Sequence, residues 1–569
     1  MDYCAPVDEM LFQLEHICDV KTLQTYEQHR TLDISMIKSV LDEAAKISSQ
    51  VISPLNRIGD LTPPRREGEK VICSPGFLEA YKAISSGGWV GMSGGQEFGG
   101  MDLPGAVSTC VNEMLGSACL ALALNPLMTQ GQIEALESHA SEQIKTIYLP
   151  KLISGRWSGT MNLTEENAGS DVGALKTQAF PKADGSFEIT GQKIYISWGE
   201  HDLAENICHL VLARLPNSGA GTRGISLFLV PKYLVEDDGT IGERNSLNII
   251  GLEEKMGLHG SPTATMSYNK AKGWLVGKPN EGMAAMFTMM NNARLGVGVQ
   301  GLSQAERAFQ VAGTYAKDRR QGRSQIQNGT GTIIDHADVR RNLLFMKALT
   351  SVSRSICLDT AVSIDLSKVS GSQAILDRAA FLIPIAKAFG TDNGCRVSDL
   401  GIQVHGGLGF IESSGVPQIY RDVRITAIYE GTNGIQGMDL VSRKLSDGGS
   451  AGFSLIDEFC ETENTCKDTN LIKLEVVEEF QEARLNLFMA LNWMVNSNNL
   501  NERYAGATSF LRAFGLILGA NYLLKGALKS QEPQRIELAQ FYIEHILPES
   551  HAAIKSACRG TSSIYRTHV

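Results

Sequence analysis

Between Gly159 and Val276 the residue pattern of this 569-residue chain changes character, and that change limits the folds open to it. Ahead of it, apolar residues recur at helical spacing. Within it, short β-rich runs are broken by Gly, Asp and Asn: FEITGQKIYIS (Phe187–Ser197), HLVLARL (His209–Leu215) and GISLFLV (Gly224–Val230). Turns lie between them at Ala183–Gly185 and Pro216–Gly221. From Met283 long helical patterns return. Helical, then β, then helical is an unusual order. The chain is also too long for a single core. The reading is a mostly α fold with a central β domain and an extra helical domain at the C-terminus. The boundaries fall at 1–34 for an N-terminal extension, 35–158 for a helical N-domain and 159–278 for the β domain. A helical bundle over 279–447 and a C-terminal helical extension over 455–569 follow.

Residues 1–30 read as an irregular lead-in. A helix is predicted from Asp33, with Ile37, Val40, Leu41, Ala44, Ile47 and Val51 on one stripe. Asp33 or Ser35 would cap it and Ser53-Pro54 would end it. Phe77–Ser85 is a short helix, Ser86–Gly105 a glycine-rich loop, and Ala106–Leu152 is helical, so the first 155 residues read as all-helical. That loop lacks the Lys-Ser/Thr ending of a phosphate-binding P-loop. Later helices cover Arg294–Asp318, Val339–Ser367 and Ala374–Gly406. A Gly/Ser-rich linker, Leu445–Ser454, leads to three more at Leu471–Val495, Tyr504–Leu528 and Arg535–Leu547.

Composition excludes several classes. A net charge of -10 argues against nucleic acid as a partner, because phosphate binding wants a basic surface. Mean hydropathy is -0.08 and no apolar run reaches the eighteen or so residues needed to span a bilayer, so no membrane span is expected. The eleven cysteines include no CxxC pair, and the histidines, His259, His336 and His405 among them, lack metal-ligand spacing. No metal is expected. The acidic N-terminus has neither signal nor transit character. These features point to a bacterial cytoplasm.

Two stretches carry chemistry. In RITAIYEGTNGIQ (Arg424–Gln436), Glu430 follows an apolar run and precedes Gly431. Desolvation there raises a carboxylate toward neutrality, which suits a general base, and the glycines admit a ligand close to the backbone. Alone, the stretch reads sooner as a surface turn that happens to carry a glutamate. In GTMNLTEENAGSDVGALKT (Gly159–Thr177), small donors could wrap a flat polar ring or a phosphate. The plain alternative is a β-turn. Gly296–Gly301 fits GxGxxG but lies inside a helical pattern, where small residues serve close helix packing rather than a dinucleotide fold.

Thr-Glu-x-x-Ala-Gly-Ser-Asp at 164–171 and Tyr-Glu-Gly-Thr at 429–432 together resemble the acyl-CoA dehydrogenase family, in which the same helical–β–helical order occurs. The resemblance covers roughly 35–445. The lead-in and the tail after 450 resemble its longer branch, which includes 3-methylmercaptopropionyl-CoA dehydrogenases of dimethylsulfoniopropionate (DMSP) degradation and bacterial fatty acyl-CoA dehydrogenases. It implies a helical N-domain, a β-barrel middle domain and a C-terminal four-helix bundle. It also implies FAD, held beside the ring by Met161, Leu163, Thr164, Gly169, Ser170 and the Tyr195-Ile196-Ser197 segment, where the family usually has Trp-Ile-Thr. Arg319 and Gln321 match positions reaching the FAD of a neighbouring subunit, with Ser324 a weaker match. Gln403, Gly406 and Gly407 match the dinucleotide-side glycine segment, and Thr432 and Gln436 match flavin-side positions. Ser170, Arg294 and Gly431 fall on the substrate side. Some branches place the base just before that arginine; here the position is Ala293, which leaves Glu430.

The resemblance implies α,β-dehydrogenation of an acyl-CoA thioester to a trans-2-enoyl-CoA. Glu430 would take the pro-R α-proton and the flavin the β-hydride, with electrons passed on to electron-transferring flavoprotein. A homodimer or a dimer of dimers is implied too. Three alternatives stay open: an acyl-CoA oxidase using oxygen, a DNA-associated flavoprotein of the same fold, and a non-catalytic helical scaffold. The acyl chain, whether 3-methylmercaptopropionyl or a short or medium straight chain, is not legible.

Overall fold

The computed structural model describes residues 3–567. The expected irregular lead-in contains a helix, α1 (Val7–His16). Polar stitches hold it. Ser355 donates to Gln13 Oε1 at 3.0 Å, Gln13 donates to Ser351 Oγ at 3.1 Å, and Glu9 pairs with Arg535 at 2.9 Å. The stretch 1–30, expected to be irregular, therefore contains a helix; Met1 and Asp2 lie outside the described residues. α2 (Ile34–Ile47) is capped by Asp33, which accepts from Met36 N–H at 2.7 Å; Ser35 only donates to Asp33. Ile37, Leu41 and Ala44 are buried as the stripe requires. Val51 is 40% exposed, because a π-type turn over Ser48–Ile52 rotates it off the stripe. Pro54 then precedes a further helix, α3 (Leu55–Leu61), instead of ending the block.

A small hairpin, β1 (Arg65–Glu67) and β2 (Lys70–Ile72), interrupts the region read as all-helical. α4 (Phe77–Ser86), the kinked α5 (Gly105–His139) and α6 (Glu142–Ile153) follow. The strands are β3 (Trp157–Asn162), β4 (Gln178–Pro181), β5 (Phe187–Ser197), β6 (Asn206–Arg214), β7 (Ile225–Pro231), β8 (Tyr233–Val235), β9 (Ile241–Arg244), β10 (Leu247–Leu252) and β11 (Thr263–Val276). β7 pairs with both β11 and β6, and these connect through β5 and β4, so five strands close a ring. Ile189, Val211, Phe228, Val230 and Met266 fill it. β3 extends the ring by pairing parallel to β6.

The second helical block is α7 (Gly282–Asp318), α8 (Ala337–Ser370) and α9 (Gln373–His405), with α10 (Val416–Arg424) and α11 (Asn433–Ser442) against α9. α5 lies along α7. The glycines of the GxGxxG match are packing residues, as their helical setting implies. A Cβ on Gly298 would stand 2.6 Å from Ala386 O, and one on Gly301 2.5 Å from Gly390 O. A buried ion group ties the block together: Arg354 of α8 pairs with Glu113 of α5 at 2.7 Å and with Glu306 of α7 at 2.5 Å.

The C-terminal helices are α12 (Ser450–Thr469), α13 (Leu474–Asn496), α14 (Leu500–Ser530), α15 (Pro533–His545), α16 (Glu549–Ala557) and α17 (Ser562–Arg566). α12 starts inside the stretch read as linker, and α14 packs on α8, α9 and α11. α5 and α14 are each long and apolar enough to cross a membrane. Yet 89% and 83% of their most apolar windows are buried inside the fold, which makes them core helices.

Candidate active site

After α10 the chain makes one 3-10 turn, Ile425–Ala427, and then a loop that leads into α11. Glu430 sits in that loop at φ 55°, a left-handed conformation costly for a residue with a Cβ. Its neighbours hold it there. Gln436, fully buried on α11, donates Nε2 to the carbonyls of Glu430 and Gly431, each at 3.2 Å. A Cβ on Gly431, itself at φ 84°, would stand 2.8 Å from that nitrogen, so the close approach needs glycine. Thr432 caps α11 by accepting from Ile435 N–H at 3.3 Å. Asn433 clamps the helix start onto α9. Its Nδ2 donates to Asp392 at 2.6 Å and Thr391 at 3.0 Å, and its Oδ1 accepts from Lys387 Nζ at 2.9 Å. The Tyr429 hydroxyl donates to Gln300 of α7.

The electrostatics of Glu430 are a balance. Desolvation raises its pKa above the ordinary glutamate value, while the charges of Arg294 and Lys387 pull it back. Arg294 is 5% exposed and donates to Asp439 of α11 at 3.2 Å, with its Nε buried and unpartnered among the described residues. Burial brings Lys387 down to about 8. A desolvated carboxyl with raised proton affinity, on a pinned turn within electrostatic reach of two cations, is equipped to take a proton.

A second group lies at one rim of the barrel. Met161 is the next-to-last residue of β3, Leu163 C=O accepts from Lys193 Nζ at 2.9 Å, and Thr164 C=O accepts from Ile194 N–H at 3.0 Å. Glu165 knots the loop by accepting from Lys176 and Thr177 N–H, the Thr177 hydroxyl and Lys193. Gly169 and Ser170 are exposed on it. At the end of β5, Tyr195 is held at φ 60° and is 62% exposed, between the part-buried Ile194 and the buried Ile196; Ser197 is half-buried. An anchored loop of free small donors beside an uncovered aromatic suits a flat, polar ring system.

Arg319, Gln321, Gln403, Gly406 and Gly407 form a third, exposed group at the far ends of α7 and α9. His405 there stacks on Tyr315 with ring centroids 4.3 Å apart, and its Nδ1 bonds Gly401 O at 2.7 Å, a helix-end histidine. A cleft of about 520 Å³ lies beside them. Ser324 instead donates to Asp335 O at 3.3 Å. At 1.5 Å per residue the 25 residues from Arg294 to Arg319 span roughly 37 Å, so one copy of α7 cannot bring both arginines to one small site.

Four family models match consecutive segments: acyl-CoA dehydrogenase N-terminal domain over 67–156, middle domain over 160–271, C-terminal domain over 280–445, and acetyl-CoA dehydrogenase C-terminal like over 453–568. The chain is 42% identical over 526 residues to a 3-methylmercaptopropionyl-CoA dehydrogenase of Ruegeria pomeroyi, covering 90% of this chain and 89% of the relative. The chain belongs to the acyl-CoA dehydrogenase family. A butyryl-CoA dehydrogenase of Syntrophomonas wolfei is 33% identical over 470 residues, 78% of this chain and 76% of the relative. Caenorhabditis elegans ACDH-11 in complex with C11-CoA superposes with a TM-score of 0.79 at 20% identity, covering 96% and 92% of the two chains. An acyl-CoA dehydrogenase complexed with FAD from Bacillus anthracis superposes at 0.76 and 20%, covering 92% and 88%.

Acyl-CoA dehydrogenases use FAD, and the barrel rim and the exposed Tyr195 fit that group. Sequence reasoning missed Lys387, Asn433, Gln300, Asp439 and the Glu165–Lys193 pair. A signal existed for Lys387, a lone charge in the apolar run FLIPIAKAF (Phe381–Phe389). Glu165 and Asn433 lay inside motifs already singled out. Gln300 and Asp439 gave none, because their partners are 129 and 145 residues away.

Proposed function

We propose that Glu430 is the general base of this acyl-CoA dehydrogenase, removing the α-proton of an acyl-CoA thioester. The observation that carries the reading is the Glu430 turn: left-handed, pinned by Gln436, with desolvation raising the carboxyl against two nearby cations. A thioester α-proton is far too weakly acidic for an ordinary carboxylate. Raising the base closes part of the gap, and donors on the thioester carbonyl close more by stabilising the enolate. The Glu430 N–H, which donates to no group among the described residues, is the chain's own donor for that carbonyl. Bound FAD supplies the acceptor for the β-hydride. Met161, Leu163, Thr164, Gly169, Ser170, Tyr195, Ile196, Ser197, Thr432 and Gln436 would hold it, with Arg294, Ser170 and Gly431 on the substrate side.

The substrate is an acyl-CoA of short to medium chain. The 3-methylmercaptopropionyl thioester is the first candidate, on the name of the 42% identical relative, and it would place the protein in sulfur-compound as well as fatty acid metabolism. Arg319, Gln321, Gln403, Gly406 and Gly407 would serve the FAD of a second copy, which makes the working unit a homodimer or a dimer of dimers. The span of α7 supports this. Electrons would leave through electron-transferring flavoprotein in the bacterial cytoplasm.

The test is Glu430→Gln in the FAD-loaded protein. The variant should retain FAD and bind acyl-CoA but lose at least a thousandfold in the rate of flavin bleaching. Bleaching at the wild-type rate overturns the assignment. A panel of acyl-CoAs with an artificial electron acceptor ranks substrates, and peroxide release without the acceptor would identify an oxidase.

A further inference from the structure

Lys387 of α9 is 0% exposed, and its charge acts on Glu430. An ammonium in such a place costs free energy unless it is paired. Among the described residues it donates to a neutral group, Asn433 Oδ1, at 2.9 Å, and to no carboxylate. Asn433 is fixed in turn by Ala388 O at 3.3 Å, Thr391 at 3.0 Å and Asp392 at 2.6 Å. The ammonium is thus seated three residues from Glu430 in the chain, on the first residue of the helix that follows it.

The charges that reach Lys387 come from several elements. Asp392 and Cys395 lie on α9 itself, Glu430 lies in the loop, and Arg294 lies on α7. Arg294 is tied to Asp439 of α11, whereas Asp392 is faced by Arg512 of α14 and Arg424 of α10. Among the described residues, the cations acting on Glu430 are Arg294 and Lys387, and Arg294 shares its charge with Asp439. Lys387 is therefore the less committed of the two.

We propose that Lys387 is a positioning residue for the reaction: its buried ammonium, seated on Asn433, sets how readily the Glu430 carboxyl takes up the substrate α-proton. The inference rests on Glu430 being the base. With the ammonium present, the rise that desolvation causes in the Glu430 carboxyl is held back, so more of it is ionised and ready to accept a proton. Without it, desolvation acts against Arg294 alone, and a larger fraction of Glu430 is already protonated when substrate arrives. Burial also holds Lys387 near 8, so the ammonium itself titrates within the working range.

The experiment follows α-proton exchange into D2O, by NMR, for a 3-thia-acyl-CoA on the FAD-loaded protein from pH 5 to 9.5. The β-position of that probe carries no hydride, so exchange reads the base alone. Lys387→Gln keeps a donor for Asn433 and removes the charge; Lys387→Met removes both. The acid limb of the exchange profile should move up by about one pH unit in both variants, as expected for loss of a neighbouring opposite charge. The inflection near pH 8 should vanish. A limb unmoved in Lys387→Gln but moved in Lys387→Met overturns the proposal, because the lysine would then act only as a hydrogen-bond donor. Loss of FAD from both variants, with Lys387→Arg also unable to restore the wild-type limb, overturns it as well. No exchange in wild type, by contrast, refutes Glu430 as the base and leaves the turn without that role.

Discussion

Substituting Gly298 by Ala tests whether the α7–α9 contact carries the architecture of the site. An added Cβ would stand 2.6 Å from Ala386 O and 2.9 Å from its carbonyl carbon, both backbone atoms that cannot rotate away. Ordinary contact begins at 3.4 Å, so the helices must part locally by about 0.8 Å. Overpacking of this kind costs about 1–3 kcal/mol, and backbone-on-backbone contact lies at the upper end. Alanine recovers about 1 kcal/mol of helix propensity, leaving a net loss of about 2 kcal/mol. Gly313, on the same helix, supplies the control: a Cβ there meets nothing within 4 Å, so Gly313→Ala should gain up to about 1 kcal/mol. Urea unfolding followed by circular dichroism separates the two, provided the chain's several helical units are fitted without assuming one transition. Because α7 carries Arg294 and α9 carries Lys387, Gly298→Ala should also lower the α-proton exchange rate, and Gly313→Ala should not. Equal stability of the two variants would refute the reasoning.

Three other outcomes follow from buried charge. Arg354→Met leaves Glu113 and Glu306 buried without their cation and should cost about 3–5 kcal/mol in urea unfolding. Lys193→Met unpairs Glu165 and loosens the loop at the barrel rim; FAD retained after dialysis should fall about tenfold while the far-ultraviolet spectrum stays unchanged. Burial pushes the Asp422 carboxyl up to about 6, above its unfolded value, so the native state holds the extra proton. Its penalty is absent below the unfolded pKa, grows as pH rises from there to about 6, and is complete above 6. Asp422→Asn should therefore gain about 1–2 kcal/mol at pH 7.5, and the gain should shrink toward pH 4.5.

Periodicity made the long elements legible because their burial is one-sided or complete. The stripe of α2 and the barrel strands β5, β6 and β7 were readable, and so was the packing role of Gly296–Gly301. The glycine pattern matched a dinucleotide fingerprint, but its helical setting excluded that, and Ala386 and Gly390 show what the missing side chains make room for. What escaped depended on distant partners. α1 is ten residues long, too short to be stable on propensity, and Gln13 and Glu9 hold it through residues more than 300 positions away. β1 and β2 are three residues each and carry no clear alternation. At the site, the Glu430 motif was visible as sequence, but its left-handed backbone and its two cations were not.

The glycines and the base belong to one device. A site that needs a carboxyl desolvated yet still ionised must bring cations near it without letting water in. Here α7 brings Arg294, α9 brings Lys387, and α11 brings Asn433 and Asp439 to seat them. An opposite charge shifts a carboxyl most strongly within about 4–6 Å, so close approach of the helices strengthens the effect. Gly298 and Gly301 on α7 face Gly390 and Gly394 on α9, and a Cβ at any of the four would meet backbone of the other helix within 2.8 Å. Larger residues along that seam would move the cations out and leave desolvation to protonate Glu430. The sequence element that mimics a nucleotide-binding loop is thus better explained as the spacing that lets α7 and α9 bring Arg294 and Lys387 close to Glu430.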